Sequence, residues 1–222
     1  MIIDLTHTIA PDMPLYPGTP KPVLKASGTM TRDGWRETTI QISSHAGTHM
    51  DAPSHLLQNG FSLDVLPISQ FCGRAAVLDV SEFPEGSVLP AEFFRQQKDA
   101  LRCAEFVLLY TGFERKWGSE EFYGNFPVLS GDAARYLVSQ GLKGVGTDAL
   151  SVDPVNDKEL PAHRTLLGGG LVILENLCLK KIVGRSDVML FALPLKYDNA
   201  DGAPVRAIAE FRDFSETEDK QA

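Results

Sequence analysis

The chain has 222 residues, a formal net charge of -8 and a sequence isoelectric point of about 5.1. Its apolar share of 43% and charged share of 23% are those of a folded globular protein and exclude a disordered chain. An acidic surface without a Lys/Arg cluster disfavours the phosphate contacts of nucleic-acid binding, and no run reaches the roughly 18 apolar residues of a membrane span.

The opening MIIDLTHTIA alternates as a strand does and lacks the basic and apolar regions of a signal peptide. Its histidine, His7, is expected to be an internally satisfied one. PDMPLYPGTPKP follows, a run whose prolines fix turns or extended loop. ETTIQISS predicts a strand that delivers the chain into a loop, HAGTHMDAPSH, at residues 45–55. RAAVLDV predicts a strand, LPAEFFRQQ a short helix and AEFVLLYTG a buried strand. LSGDAARYLVSQG reads as a helix capped by Ser130 and stopped at Gly141.

LKGVGTDAL is strand-like, and HRTLLGGGLVILENL joins a helical turn to another apolar run. SDVMLFALPLK and APVRAIAEF predict late strands joined by a turn at KYDNADG, and the polar end, RDFSETEDKQA, is expected to fray. Strands outnumber helices and are only sometimes separated by one. The fold class is therefore α/β, one compact domain over residues 1–222 with a mixed β-sheet and flanking helices. Cys72, Cys103 and Cys178 form no CxxC pair and are expected to be reduced core thiols in a cytoplasmic protein.

Three of the five histidines, His45, His49 and His55, fall within eleven residues, with Asp51 among them. Imidazole and carboxylate are natural ligands of zinc or manganese, so His45, His49 and Asp51 are candidate ligands of one divalent ion. Gly47 allows a tight turn between them, and Pro53 stiffens the exit. His55 fits either a fourth ligand or a general base, since its ordinary pKa near 6.5 suits proton transfer at neutral pH.

His163 and Glu175 form a second candidate pair. Glu175 interrupts the apolar run LVILENL, where a carboxylate needs a partner or a metal to offset desolvation. Asp148 could orient a ligand histidine, while Asp153 reads as a loop cap. Tyr16, between two prolines, could cover a substrate ring. The TLLGGG glycines lack the Lys and Ser/Thr of a phosphate loop, and no GxSxG elbow occurs.

With these residues the chain resembles the bacterial kynurenine formamidase and cyclase family of metal-dependent hydrolases. The family signature HxGTHxDxPxH is matched at every fixed position by residues 45–55. YPG at 16–18, YTG at 110–112, GTDALSVDP at 146–154 and HRTLLGGGLVILENL at 163–177 follow in family order. The resemblance implies a mixed-sheet α/β fold that assembles as a homodimer or larger homo-oligomer. It implies one ion on His45, His49 and Asp51, a second on His163 and Glu175 with Asp51 shared, and His55 as the acid/base group.

The activity implied is hydrolysis of N-formyl-L-kynurenine to L-kynurenine and formate, with zinc, or else manganese, as cofactor. Members with that activity usually carry tryptophan where this chain has Tyr16, a larger ring for covering the aromatic substrate. Opening of a cyclic amide such as isatin, or of a lactone, is the related alternative. Two readings outside hydrolysis share the two-histidine, one-carboxylate set: a non-haem iron oxygenase, and a binding protein that uses the metal for stability alone.

Overall fold

The computed structural model describes residues 1–211, and the C-terminal run expected to fray lies outside the described residues. The first apolar alternation forms β1 (Ile2–Asp4), and the proline-rich run after it is irregular. β2 (Val23–Gly28) and β3 (Glu37–Gln41) then make a separate antiparallel hairpin around the short helix α1 (Met30–Asp33).

β4 (His49–Asp51) lies inside the histidine segment, which was expected to be a loop. The core of the chain follows as β5 (Cys72–Asp79), β6 (Val88–Leu89), α2 (Ala91–Gln96), α3 (Lys98–Leu101), β7 (Phe106–Tyr110) and β8 (Val128–Leu129). α4 (Gly131–Ser139), β9 (Gly144–Thr147), α5 (Pro161–Gly168) and β10 (Val172–Glu175) continue it, and the long strands β11 (Val188–Pro194) and β12 (Gly202–Glu210) close it.

Eight strands form one mixed sheet in the order β1-β12-β11-β5-β7-β9-β10-β4, and β4 pairs back onto β12, so that the sheet largely closes into a barrel. β5, β7, β9 and β10 run parallel, joined through crossovers that carry α2 to α5; the remaining pairs are antiparallel. β7, β9 and β10 are buried on both faces along their whole length, as helix-covered strands must be, while β5 exposes Arg74 and Asp79 near its ends. In β7, Phe106, Leu108 and Tyr110 join the inner core. Val107 and Leu109 face the helices, against Phe94, Leu137 and Leu166. Fully burying each such side chain contributes about 1.5–3 kcal/mol.

Small residues make the inner packing possible. A Cβ at Gly144 would come within 2.9 Å of Phe106, and one at Gly146 within 2.7 Å of Leu108, so β9 is Gly-Val-Gly-Thr where larger residues would overpack the barrel. α4 begins where its sequence said: Ser130 Oγ accepts the Ala133 N–H at 3.0 Å, and Gly141 after its end holds φ at +71°.

The cysteines are free, but Cys103 is exposed and the other two only partly buried, so none is a core thiol. Among the described residues no helix is long and apolar enough to cross a membrane.

Candidate metal centre

The centre is built on the short strand β4, held between β10 and β12. His49 stands opposite Glu175 of β10, and Asp51 stands opposite Gly202 of β12. Residues two apart on a strand share a face, so His49 and Asp51 project together beside Glu175. The turn before β4 brings in His45, with Gly47 at φ +68°. After β4, a single 3-10 turn, Pro53–His55, carries His55 back over the site. α5 supplies His163 from its first turn, after Pro161 has set the helix start.

Asp51 lies at the middle. Its Oδ1 is 2.6 Å from His45 Nδ1 and 3.3 Å from His49 Nε2, and its Oδ2 is 3.5 Å from His163 Nε2. Glu175 spans the other side, with Oε2 3.4 Å from His49 Nε2 and Oε1 3.2 Å from His163 Nε2. Three groups with metal-ligand spacing result among the described residues: His45/His49/Asp51 and Asp51/His163/Glu175, which share the Asp51 carboxylate, and the less buried His45/His55/Asp201. All five residues singled out as ligands from the sequence thus converge. His55 belongs to neither triad that shares Asp51; it stands with His45 and Asp201 in the third group, its ring tilted 38° against that of His45 at 3.9 Å between centroids.

Each candidate ligand histidine is anchored through its other nitrogen. His49 Nδ1 donates to the Gly47 carbonyl at 2.9 Å, His163 Nδ1 to Asp153 Oδ2 at 2.7 Å, and His45 Nε2 to Asp201 Oδ2 at 3.0 Å. These bonds hold the three rings with their inner nitrogens turned towards Asp51 and Glu175, where each carries a proton to the carboxylates or, once deprotonated, a lone pair for an ion.

Carboxylates buried among imidazoles demand positive charge between them. Asp51 and Glu175 are 1% and 5% exposed, and Glu175 Oε1 has no aligned hydrogen-bond donor, an arrangement that costs several kcal/mol per ion if left uncompensated. The protonation of the histidines reports the same demand. Burial pulls His45 down, yet Asp51 and Asp201 outweigh it and hold its pKa at about 9. His49 and His163 are raised in the same way against burial, by Asp51 and Glu175 and, for His163, by Asp153 as well. Asp51 is held well below the carboxylate range by the surrounding imidazoles, although burial opposes this. A divalent ion satisfies the demand by displacing those protons, so the residues present fit one.

His55 differs: burial lowers its pKa despite the nearby Asp51, leaving a neutral imidazole at the mouth. The centre opens into a cleft of about 320 Å³, walled by Pro14, Tyr16, His55, Leu56, Leu150 and Leu160. The proline-rich segment supplies one wall, and the Tyr16 hydroxyl donates to the Val155 carbonyl at 2.8 Å.

The two aspartates of GTDALSVDP exchange their expected roles. Asp148 touches no ligand histidine; its carboxylate accepts from Thr111 N and Oγ1, Gly112 N and Glu114 N at 2.6–3.3 Å and braces the turn after β7. Burial raises its pKa to about 6 against those donors. Asp153 orients His163, and it also accepts the Ala162 and His163 backbone N–H groups at 2.9 Å.

Three contributors had no sequence reading of their own. Asp201 holds His45. Asn176, at φ +58°, donates from Nδ2 to the Gly47 carbonyl that also receives His49. Gly202 leaves room for His45, because a Cβ there would fall 2.8 Å from His45 Nε2. Only the Asn-Ala-Asp-Gly turn composition and the Glu-Asn step marked them. His7 is not the satisfied histidine expected: its Nε2 is buried with no partner among the described residues, and its ring stacks on Trp117 at 3.8 Å.

Comparison with known proteins agrees with this architecture. Residues 3–154 match the Cyclase family, described as "Putative cyclase". The kynurenine formamidase of Bacillus mycoides (strain KBAB4) is 35% identical over 207 residues, covering 93% of this chain and 95% of that one. The kynurenine formamidase of Salinibacter ruber is 36% identical over 212 residues, covering 93% and 96%. Among solved structures, isatin hydrolase A from Labrenzia aggregata, bound to benzyl benzoate, superposes with a TM-score of 0.84 at 28% identity, covering 94% of this chain and 93% of that one. With that match across most of its length and its paired His/carboxylate triads, the chain belongs to the cyclase family of metal-dependent hydrolases, alongside the kynurenine formamidases.

Proposed function

We propose that this chain hydrolyses a small amide, with N-formyl-L-kynurenine as substrate and L-kynurenine and formate as products. The observation that carries the reading is the pair of triads sharing Asp51 at the floor of an open, largely apolar cleft. His45, His49 and Asp51 hold one ion; Asp51, His163 and Glu175 hold a second; zinc is the preferred metal and manganese the alternative. The ion, when bound, supplies Lewis acidity at a carbonyl and nucleophile activation at neutral pH.

The chain's own residues do the rest. His55, neutral and at the mouth, takes the proton from the attacking water and returns it to the departing amide nitrogen as the carbon–nitrogen bond breaks. Tyr16, its hydroxyl tied to Val155, offers a fixed aromatic wall to the substrate ring. The second triad favours hydrolysis over a mononuclear iron site, and the open cleft favours catalysis over a purely structural metal. The exposed apolar side chains Val23, Leu24 and Ile40 of the β2–β3 hairpin support a homodimer or larger homo-oligomer. Unpaired cysteines fit a cytoplasmic setting.

The superposition on isatin hydrolase A, with tyrosine rather than tryptophan at position 16, supports a second reading: opening of a cyclic amide by the same attack. Turnover of N-formyl-L-kynurenine, isatin and a simple aryl ester by protein carrying defined zinc or manganese tests both. Efficient metal-dependent formate release is the expected result. Ring opening of isatin without formate release from the formamide would overturn the first reading in favour of the second.

A further inference from the structure

We infer that Asp201 is a positioning residue for His45, and that the ion held by His45, His49 and Asp51 is the more exchangeable of the two. This rests on the two-ion reading above. It follows from comparing what stands behind each triad.

The outer nitrogen of His163 is held by Asp153, whose side chain is 1% exposed and fixed by two backbone N–H groups. The outer nitrogen of His49 is held by the Gly47 carbonyl, itself braced by Asn176. His45 alone is backed from the rim, by an Asp201 side chain that is 47% exposed. Water therefore competes for the His45 Nε2–H bond, while nothing competes for that of His163.

Asp201 is nonetheless a built feature rather than a passing surface contact. Ser44 Oγ donates to its Oδ2 at 3.3 Å and Tyr197 Oη to its Oδ1 at 3.2 Å. The Tyr197 hydroxyl also reaches the Gly202 carbonyl. Its own carbonyl accepts the Ala52 N–H at 2.9 Å, tying the segment to the chain just after β4. The next residue is Gly202, the position where a Cβ would strike the His45 ring. Backbone, neighbours and side chain at 201–202 are all shaped around one imidazole, which puts Asp201 behind His45 as Asp153 is behind His163.

The test is chelator competition on zinc-loaded wild-type protein, Asp201→Asn and Asp201→Ala, with zinc stoichiometry and the melting temperature of the metal-free protein measured alongside. Wild type is expected to hold two ions of unequal affinity. Both variants should weaken the looser ion by about 10–100-fold, Asp201→Asn less than Asp201→Ala because an amide oxygen can still accept. The tighter ion should keep its affinity, and the metal-free melting temperature should fall only slightly, because the Asp201–His45 pair is half exposed on the Asp201 side. Unaltered affinities, equal weakening of both ions, or weakening of the tighter ion alone would overturn the proposal. Loss of a third bound equivalent, with two retained at full affinity, would also overturn it by making Asp201 a ligand. Wild type that takes up no zinc would instead sink the metal reading itself, and the positioning role with it.

Discussion

Two histidine environments in this chain, one half-buried and one buried, differ above all in one ingredient. His7 is packed on Trp117 without an ion pair among the described residues, and burial drives its pKa down to about 4. His163 is more deeply buried but stands among Asp51, Asp153 and Glu175, and its pKa rises well above the ordinary value. Burial alone makes an imidazole neutral; buried carboxylates reverse the sign and create a demand for a cation. The first environment is a packing site. The second has the donors to suit a metal ion, and His55, depressed but facing the cleft, lies between the two in kind.

The contrast is broken most severely at Asp51. Asp51→Asn removes the carboxylate common to both triads, and turnover should fall by about 10³-fold or more, the several kcal/mol that such an ion supplies. Metal analysis should show both ions lost or greatly weakened; full metal content would refute the shared position. Next in size, His55→Ala should lower kcat by about 10²–10⁴-fold, the range for a general acid/base, with metal content intact. Full turnover at normal metal content would remove His55 from the reaction. Smaller again is Gly202→Ala, whose methyl group presses on the His45 ring, an overpacking cost of about 1–3 kcal/mol. Thermal unfolding of the metal-free protein should register that cost even where activity is not measured.

The candidate ligands were more legible in the sequence than the residues that support them. Side chains able to hold a metal are few, and crowding His45, His49, Asp51 and His55 into eleven residues is a local signal. Glu175 was legible for the opposite reason, as a charge inside an apolar run. Asp153, Asn176 and Asp201 act through contacts that cross 10, 129 and 156 positions of chain, and no local periodicity encodes these. β4 was missed on similar grounds. Its three residues carry no strand pattern of their own, and β10 and β12 impose one by pairing on either side. The buried strand β7 and the capped helix α4 were legible because their signals, an apolar run and Ser130 with Gly141, are local.

The smallest expected effect lies at His7, on the other side of the contrast. Because the folded-state pKa is about 4 and the ordinary value 6.5, the unfolded chain binds the proton more readily between these limits. His7 therefore withdraws stability as pH falls through that window and leaves it untouched above about 6.5. His7→Phe keeps an aromatic ring for Trp117 and removes the titrating group. Denaturant unfolding should give closely similar stabilities for the two proteins at pH 7.5. As pH is lowered towards 4.5, wild type should lose more stability than His7→Phe. Parallel pH curves would mean that His7 already shares a proton with a neighbour, and the division between a packed imidazole and a cation-seeking one would lose its simplest member.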